Sequence, residues 1–75
     1  MHSAVKKRSL VIRGHRTGIS LEDEFWDALR DIAEERNLAI HALVEQIDVE
    51  RRSVNLSSAI RVFVFKHYLA AAKLA

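Results

Sequence analysis

Histidine and carboxylate side chains are the groups in this sequence best suited to catalysis or metal binding. His41 and Glu45 stand one helical turn apart, whereas His67 has only the non-liganding Ala71 at that spacing. A metal site needs three or four converging donors, and the chain has no cysteine to supply one. His2 and His15 belong to a basic segment. The sequence also lacks a phosphate-binding loop and a nucleophile with a neighbouring base. We therefore expect no metal, no cofactor and no enzymatic activity.

The basic side chains have a more informative arrangement. The net charge is only +2, but residues 1–21 contain five bases and no acid, residues 22–50 contain all 10 acids, and residues 51–75 contain bases only. Lysines and arginines ahead of a folded body are a common device for binding nucleic acid, because they displace condensed counterions. A disordered soluble tail has the same composition, so charge alone leaves both interpretations open.

Length and composition indicate a single domain that associates with itself. A chain of 75 residues buries a modest share of its surface when it folds alone, yet 49% of these residues are hydrophobic. A core shared with a second copy would hide this apolar surface, so we expect an obligate oligomer. The chain has no cysteine or proline and no apolar run long enough for a signal peptide or a membrane span. We expect a bacterial, cytoplasmic protein.

The N-terminal third predicts a basic arm followed by extended backbone. Residues 1–8 have no periodicity and are predicted to be a flexible arm, with one domain over residues 9–75. Ser9–Arg13 is β-branched and apolar and is closed by Gly14, so it predicts a strand of its own or the first half of a longer ribbon. If Ile19 faces inward, alternation also turns Thr17 and His15 inward. Alternation then points three residues outward: Arg16, Gly18 and Ser20.

A strongly amphipathic helix follows the extended segment. Ser20 and Asp23 have the spacing of a capping box, which predicts a helix beginning at Leu21. Its apolar stripe recurs at three- and four-residue steps, and acidic residues cover its other face. Asn37 is a suitable left-handed residue to end it, after which Leu38 packs back on the helix.

Two further helices are predicted. The second opens near Ala39 with a weak cap, and residues 48–55 lose the pattern and predict a loop. Residues 56–75 are ambiguous, since Val62–Phe65 has strand composition, but the Asn55 cap and the alanine-rich tail favour a helix. Val62 and Phe65 add apolar surface beyond one face, which favours burial in an oligomer interface over a membrane-surface helix, because the polar face is thin.

Strand, helix, short turn and second helix in this order resemble the ribbon-helix-helix superfamily of the Arc and Met repressors. The resemblance is closest to small bacterial members that carry an Arg-Gly-His-Arg-Thr ribbon, here Arg13–Thr17. Ser20–Asp23, Phe25–Leu29 and Asn55–Ala59 also resemble that subgroup, and the similarity covers roughly residues 8–70. The fold class implied is mostly α with a short β-ribbon, plus an additional C-terminal helix.

The resemblance implies an intertwined homodimer. Two ribbons, one from each chain, would pair as an antiparallel sheet above a core shared by four helices. The residues expected at the oligomer interface are Ile19, Phe25, Trp26, Leu29, Ile40, Leu43, Val44, Ile47, Ile60, Phe63 and Val64.

In repressors of this class the paired ribbon enters the DNA major groove and its outward side chains read base edges. Transferred to this sequence, the outward side chains of the ribbon face the groove and the backbone at the start of the second helix clamps a phosphate. The residues expected to bind double-stranded DNA are Lys6, Lys7, Arg8, Arg13, Arg16, Gly18, Ser20, Ala39, Ile40 and His41.

Two positions depart from the pattern of DNA-binding members. Gly18 offers no side chain at the central reading position, and Ala39 replaces the usual serine or threonine cap. The sequence therefore supports two hypotheses. One is a DNA-binding transcriptional regulator; the alternative is a non-DNA-binding ribbon-helix-helix oligomer that serves as a protein-interaction or structural module.

Overall fold

The computed structural model describes residues 4–51 and 55–74, which form a two-stranded antiparallel sheet followed by three helices. The strands are β1 (Val5–Ile12) and β2 (His15–Glu22). The helices are α1 (Asp23–Glu35), α2 (Ile40–Glu50) and α3 (Leu56–Leu74). The predicted fold class, mostly α with a short β-ribbon and an additional C-terminal helix, is confirmed.

The ribbon is a hairpin formed within one chain. β1 pairs with β2 in continuous register from Val5 opposite Glu22 to Ile12 opposite His15. Arg13 (φ 49°) and Gly14 (φ 82°) both adopt left-handed backbone, as a two-residue turn that matches the strand twist requires. This turn folds β1 back beside β2, so a two-stranded sheet is present within one chain, and pairing with the ribbon of a second chain stays a prediction.

The expected flexible arm is shorter than the sequence indicated. Val5–Arg8 were assigned to the arm, but they belong to β1 and pair with Ile19–Glu22. These residues have no apolar periodicity of their own, and they are extended because a partner strand lies beside them. Residues 1–3 of the predicted arm lie outside the described residues.

Side chains of the hairpin alternate as predicted except at His15, which was expected to face inward and is exposed at the first position of β2, directly after the turn. Ile19 and Leu21 are fully buried and Thr17 is half-buried, whereas Arg16 and Gly18 are exposed. Ser20 is exposed as well. One face of the hairpin therefore covers the core and the other faces solvent.

The core lies between the inner face of the hairpin and the three helices. Its 11 buried side chains come from all five elements, and they are Ile12, Ile19, Leu21, Leu29, Ile32, Ala33, Leu43, Val44, Ile47, Ile60 and Val64. Seven of them were expected at an oligomer interface: Ile19, Leu29, Leu43, Val44, Ile47, Ile60 and Val64. The other four expected interface residues, Phe25, Trp26, Ile40 and Phe63, are partly buried against the same core. Elements of the same chain already pack against these side chains, and their further contact with a second copy stays a prediction.

The predicted start of α1 is wrong by two residues. The helix begins at Asp23, and its N-cap Glu22 makes no side-chain capping hydrogen bond. Ser20 does not cap the helix because it lies within β2, where its N–H donates to Ser57 Oγ at 3.0 Å. The capping-box pattern is therefore not used as a helix cap, because β2 continues through Ser20 to Glu22.

The end of α1 and the starts of the next two helices agree with the sequence. Asn37 is left-handed (φ 56°), and Leu38 N–H donates to the Ala33 carbonyl at 2.8 Å, which closes the helix as expected. Ala39 is the N-cap of α2 and forms no side-chain cap. At α3, the Ser58 N–H donates to Asn55 Oδ1 at 3.1 Å, so the predicted asparagine cap is present.

Two other sequence expectations concern the end of α2 and the membrane. The loop predicted from residue 48 is wrong for residues 48–50, which extend α2, and residues 52–54 lie outside the described residues. Within the described part of the chain, none of the helices has the length and apolar character needed to cross a bilayer.

Alanine should destabilise the chain more at Gly14 than at Gly18. At Gly14 nothing lies within 4 Å of an added Cβ, but the positive φ makes Gly14→Ala destabilising by about 1–2 kcal/mol. At Gly18 the added Cβ meets only the flexible Lys7 side chain, so Gly18→Ala should change the free energy of unfolding by less than about 1 kcal/mol. Urea denaturation measures both, and equal losses would contradict this explanation.

Candidate nucleic-acid interface

Six residues on the solvent-facing side of the hairpin form the surface called here the outer face. They occupy three cross-strand pairs, and all six residues are exposed. Directly opposed residues share one face of a sheet, so each pair contributes two neighbouring groups. The pairs are Lys7 with Ser20, Ser9 with Gly18, and Val11 with Arg16.

Lys7 lies across the centre of the outer face. A Cβ placed on Gly18 would stand 2.8 Å from Lys7 Cε and 3.7 Å from Lys7 Nζ. The absence of a side chain at Gly18 thus makes room for the lysine from the neighbouring strand. The Lys7 side chain occupies the space above Gly18, with its Cε nearest and its ammonium nitrogen beyond.

The tip of the hairpin is fastened to α2 through Arg13. The Arg13 N–H donates to Glu45 Oε2 at 2.8 Å, and the Arg13 guanidinium forms an ion pair with Asp48. Asp48 also accepts from Arg51 Nε at 2.7 Å. These bonds hold a non-glycine residue in left-handed backbone, and they neutralise an arginine that the sequence assigned to DNA.

At the other end of the hairpin, Asp23 pairs with two more of the expected DNA-binding bases. Its carboxylate accepts from Lys6 Nζ at 3.1 Å and from the Arg8 guanidinium at 2.5 Å. Arg8 also stacks over Trp26, with its guanidinium carbon 4.7 Å from the ring centroid. Both bases are held by the first residue of α1, so they fasten the hairpin to that helix.

The open edge of β2 is partly covered by α3. Besides the Ser57 bond, the Ser20 carbonyl accepts from Arg61 at 3.2 Å, so both backbone groups of Ser20 point away from β1. Arg61 also donates to Glu22 Oε1 at 3.0 Å. These hydrogen bonds attach β2 to α3.

Three carboxylates at these attachments have lowered pKa values. Hydrogen bonds from Lys6 lower the pKa of Asp23, and those from Arg13 lower the pKa of Asp48. A backbone hydrogen bond, followed by the Arg61 side chain, lowers the pKa of Glu22. Donors that favour the charged carboxylate are the common cause.

The structure separates the five expected bases into two groups. Lys6, Arg8 and Arg13 are paired with carboxylates, whereas in the described part of the chain Lys7 and Arg16 form no ion pair. Sequence reasoning missed this division because it assigned all five to one basic segment. It also missed Ser9 and Val11, although a two-residue turn between two eight-residue extended runs would have placed them on the outer face.

The start of α2 lies beside β1. A groove of about 400 Å³ separates the two elements, and its lining residues are Ser9, Leu10, Val11, Gly14, His41 and Glu45. Ala39 provides no side-chain cap, so the first N–H groups of α2 have no side-chain acceptor from the N-cap residue. Of the three residues expected to clamp a phosphate, His41 lies in this groove next to the outer face; Ala39 and Ile40 precede it at the helix start.

Metal binding has little support from side-chain placement. Among residues 4–51 and 55–74, no three histidine or carboxylate side chains come close enough together to hold a metal ion. Glu45 is engaged by Arg13, and His67 Nε2 lies 3.4 Å from Glu35 Oε2.

Comparison with known proteins identifies one family. The sequence matches the family described as "Ribbon-helix-helix domain" over residues 5–68. A solved structure of an uncharacterized protein from Bordetella pertussis Tohama I is similar, with a TM-score of 0.80 and 27% sequence identity. The alignment covers 96% of this chain and 62% of that one, so this chain spans less than two thirds of its neighbour. No curated protein matches the sequence.

Acid should weaken the attachments of the hairpin. The three carboxylates have lower pKa values in the folded than in the unfolded state, so their contribution is complete above the unfolded values of about 4 and is lost as the pH falls through the folded values. The free energy of unfolding should be steady above about pH 5 and decline below about pH 4.

Asp48→Asn should make that decline shallower, while lowering stability at neutral pH. Urea denaturation at a series of pH values provides the measurement. Asp31→Asn is the matched control, because Asp31 is exposed on α1 and forms no ion pair within the described residues. An acid dependence that is the same in both variants would contradict a role for Asp48.

Proposed function

The chain belongs to the ribbon-helix-helix domain family, and from this premise we propose that it is a DNA-binding transcriptional regulator whose hairpin enters the major groove. The observation that carries the proposal is that two basic side chains, Lys7 and Arg16, are exposed on the outer face. We further propose that it acts in the bacterial cytoplasm on double-stranded DNA.

The outer face has the chemistry that reads base edges. A two-stranded ribbon fits the width of the major groove, and lysine or arginine there can donate to guanine O6 and N7. Val11 offers an apolar contact for a thymine methyl group, and the Ser9 and Ser20 hydroxyls accept or donate to several bases. Lys7 over Gly18 supplies the central contact that Gly18 itself lacks.

The start of α2 supports a phosphate contact beside the ribbon. Helix N-termini carry partial positive charge and unpaired N–H groups, which together favour phosphate. Here the helix start lies beside β1, so a phosphate bound there would lie close to the outer face. Ala39 leaves N–H groups available even though it contributes no hydroxyl of its own.

The small number of lysine and arginine side chains on the hairpin that are free of ion pairs limits how it can bind DNA. Binding strength without sequence preference scales with the number of neutralised phosphates, and each contributes about −0.9 to the slope of log affinity against log salt. Since Lys6, Arg8 and Arg13 are held by carboxylates, one hairpin offers few such contacts. We therefore expect weak salt dependence for one hairpin and an affinity that depends on base contacts.

A protein-interaction module is the second candidate. The observation that favours it is the apolar side of α3, where Phe65 is 63% and Val62 is 50% exposed. Under this hypothesis the hairpin only completes the core, and DNA binding is absent.

Arg16→Ala and Lys7→Ala test the DNA hypothesis separately. If Arg16 reaches a guanine edge, its loss should cost about 1–3 kcal/mol of binding at one base pair and relax specificity there. If Lys7 contacts a phosphate instead of a base, its loss should weaken all sequences alike and reduce the salt slope by about one. Fluorescence anisotropy with selected genomic fragments at two salt concentrations measures both.

Lys73→Ala is the matched control, since Lys73 is an exposed base at the far end of α3. Its loss should leave affinity for the selected fragments unchanged. Equal losses of affinity in all three variants would show that the interaction depends only on total positive charge. An absence of binding at low salt would exclude the DNA hypothesis and favour the protein-interaction module.

A further inference from the structure

The long side of β1 that faces away from β2, called here the β1 edge, carries a row of backbone hydrogen-bonding groups. The N–H and carbonyl of Ser20 both point away from β1, toward α3. Lys7 lies directly opposite Ser20, so in an antiparallel pair its own N–H and carbonyl point away from β2. This alternation repeats every two residues. Ser9 and Val11 therefore direct their N–H and carbonyl groups to the β1 edge as well.

The backbone groups at the β1 edge are open to a partner. Among residues 4–51 and 55–74, no hydrogen bond from another element reaches the N–H or carbonyl of Lys7, Ser9 or Val11. The opposite edge of the hairpin differs, because α3 binds both backbone groups of Ser20. An uncovered sheet edge is a template for one more strand.

The groove between β1 and the start of α2 runs beside the β1 edge. Its volume is about 400 Å³, and Ser9, Val11 and His41 are among its lining residues. Paired strands lie about 4.8 Å apart, so an added backbone would lie along this groove with every second side chain directed into it. Leu10 and Glu45 also line the groove. The side chains directed there must therefore be small, and the Glu45 carboxylate disfavours a second acid.

The remaining side chains of an added strand would extend the outer face of the hairpin, where the charge is positive. Lys7 would be a direct neighbour of such a side chain, and Arg16 lies one strand further away. None of the six residues of the outer face is acidic. Because opposite charges on neighbouring strands attract, this arrangement favours carboxylates at alternate positions of the added strand. A second β1 would offer only valine, lysine and serine at those positions, so charge selects against it.

We propose that the β1 edge binds an extended segment of a different protein, in antiparallel orientation, with acidic residues at alternate positions and small uncharged residues between them. N–H and carbonyl groups that repeat about every 7 Å along a line match the backbone of another strand. Main-chain hydrogen bonds give the affinity, and the alternating side chains give the specificity. Proline is excluded at the pairing positions, because it has no N–H. The proposal does not depend on DNA binding.

A synthetic heptapeptide with glutamate at its odd positions and threonine at its even positions is the probe. Fluorescence anisotropy of the labelled peptide with the full chain should show saturable binding. In antiparallel pairing the glutamate N–H groups point at β1 and the threonine N–H groups point to solvent. N-methylation of the third and fifth residues should therefore raise the dissociation constant by at least about tenfold, because two backbone hydrogen bonds are lost.

N-methylation of the fourth and sixth residues is the matched control. It adds the same methyl groups to N–H groups that the β1 edge does not bind, so the affinity should change little. An absence of saturable binding would overturn the proposal. Equal losses of affinity in the two N-methylated peptides would also overturn it, because the interaction would then not be strand addition.

Hydrogen exchange locates the bound peptide on the chain. The amide protons of Lys7, Ser9 and Val11 should exchange at least about tenfold more slowly when the heptapeptide is bound. The amides of Arg8 and Leu10 point toward β2 with or without peptide, so they are the internal reference. Protection by the peptide at another element, with these three amides unchanged, would overturn the proposal.

Two variants of the chain test the backbone and the charge separately. Ser9→Pro removes one N–H at the β1 edge and no N–H that bonds to β2, so it should weaken peptide binding, whereas Ser9→Ala keeps that N–H and should not. Lys7→Glu should weaken binding by at least about tenfold, whereas Lys73→Glu, at the far end of α3, should leave it unchanged.

Unchanged affinity in Lys7→Glu would overturn the acidic character of the segment. Circular dichroism checks that each variant remains folded. If Ser9→Pro does not fold, the N-methylated peptides decide the question with the unaltered chain.

Discussion

The position of the hairpin depends on contacts that hold its two ends, the turn and the open strand ends, against the helices. A two-residue turn in left-handed backbone folds the basic N-terminal segment back on itself, and Arg13 occupies one of the two turn positions. A non-glycine residue is disfavoured there, and two carboxylates of α2, Glu45 and Asp48, bind its N–H and its guanidinium. The acidic middle of the sequence therefore stabilises the ribbon that the basic beginning forms, and the ribbon in turn covers the core.

Elements with a strong local signal could be predicted from the sequence, and those that depend on distant contacts could not. The helices, the left-handed Asn37 and the Asn55 cap follow from periodicity and capping chemistry within a few residues. The start of α1 failed because Ser57, far along the chain, takes the Ser20 N–H that the capping pattern assigned locally. The pairing of β1 with β2 within the chain was not predicted, because the resemblance to two-chain ribbons received more weight than the turn signal of Arg13 and Gly14.

The candidate site shows the same division. Alternation correctly placed Arg16, Gly18 and Ser20 outside, because a period of two is a local property. Which lysine and arginine side chains remain free of ion pairs depends on carboxylates from α1 and α2. No residue spacing in the sequence predicts those contacts. Blocks of like charge in a sequence therefore indicate which segments attract one another in the fold. Only the positive side chains left over after that pairing are available to an external anion.

A hairpin completed within one chain changes what a second copy would contribute. In a two-chain ribbon, association builds the reading surface itself, so an unassociated chain has none. Here one chain already carries its outer face. Linking two weak sites multiplies their effective affinity only if both can engage DNA at once, and it doubles the number of phosphate contacts. Because carboxylates hold Lys6, Arg8 and Arg13, each hairpin offers few free cations, and a second hairpin on the same DNA would add its own Lys7 and Arg16.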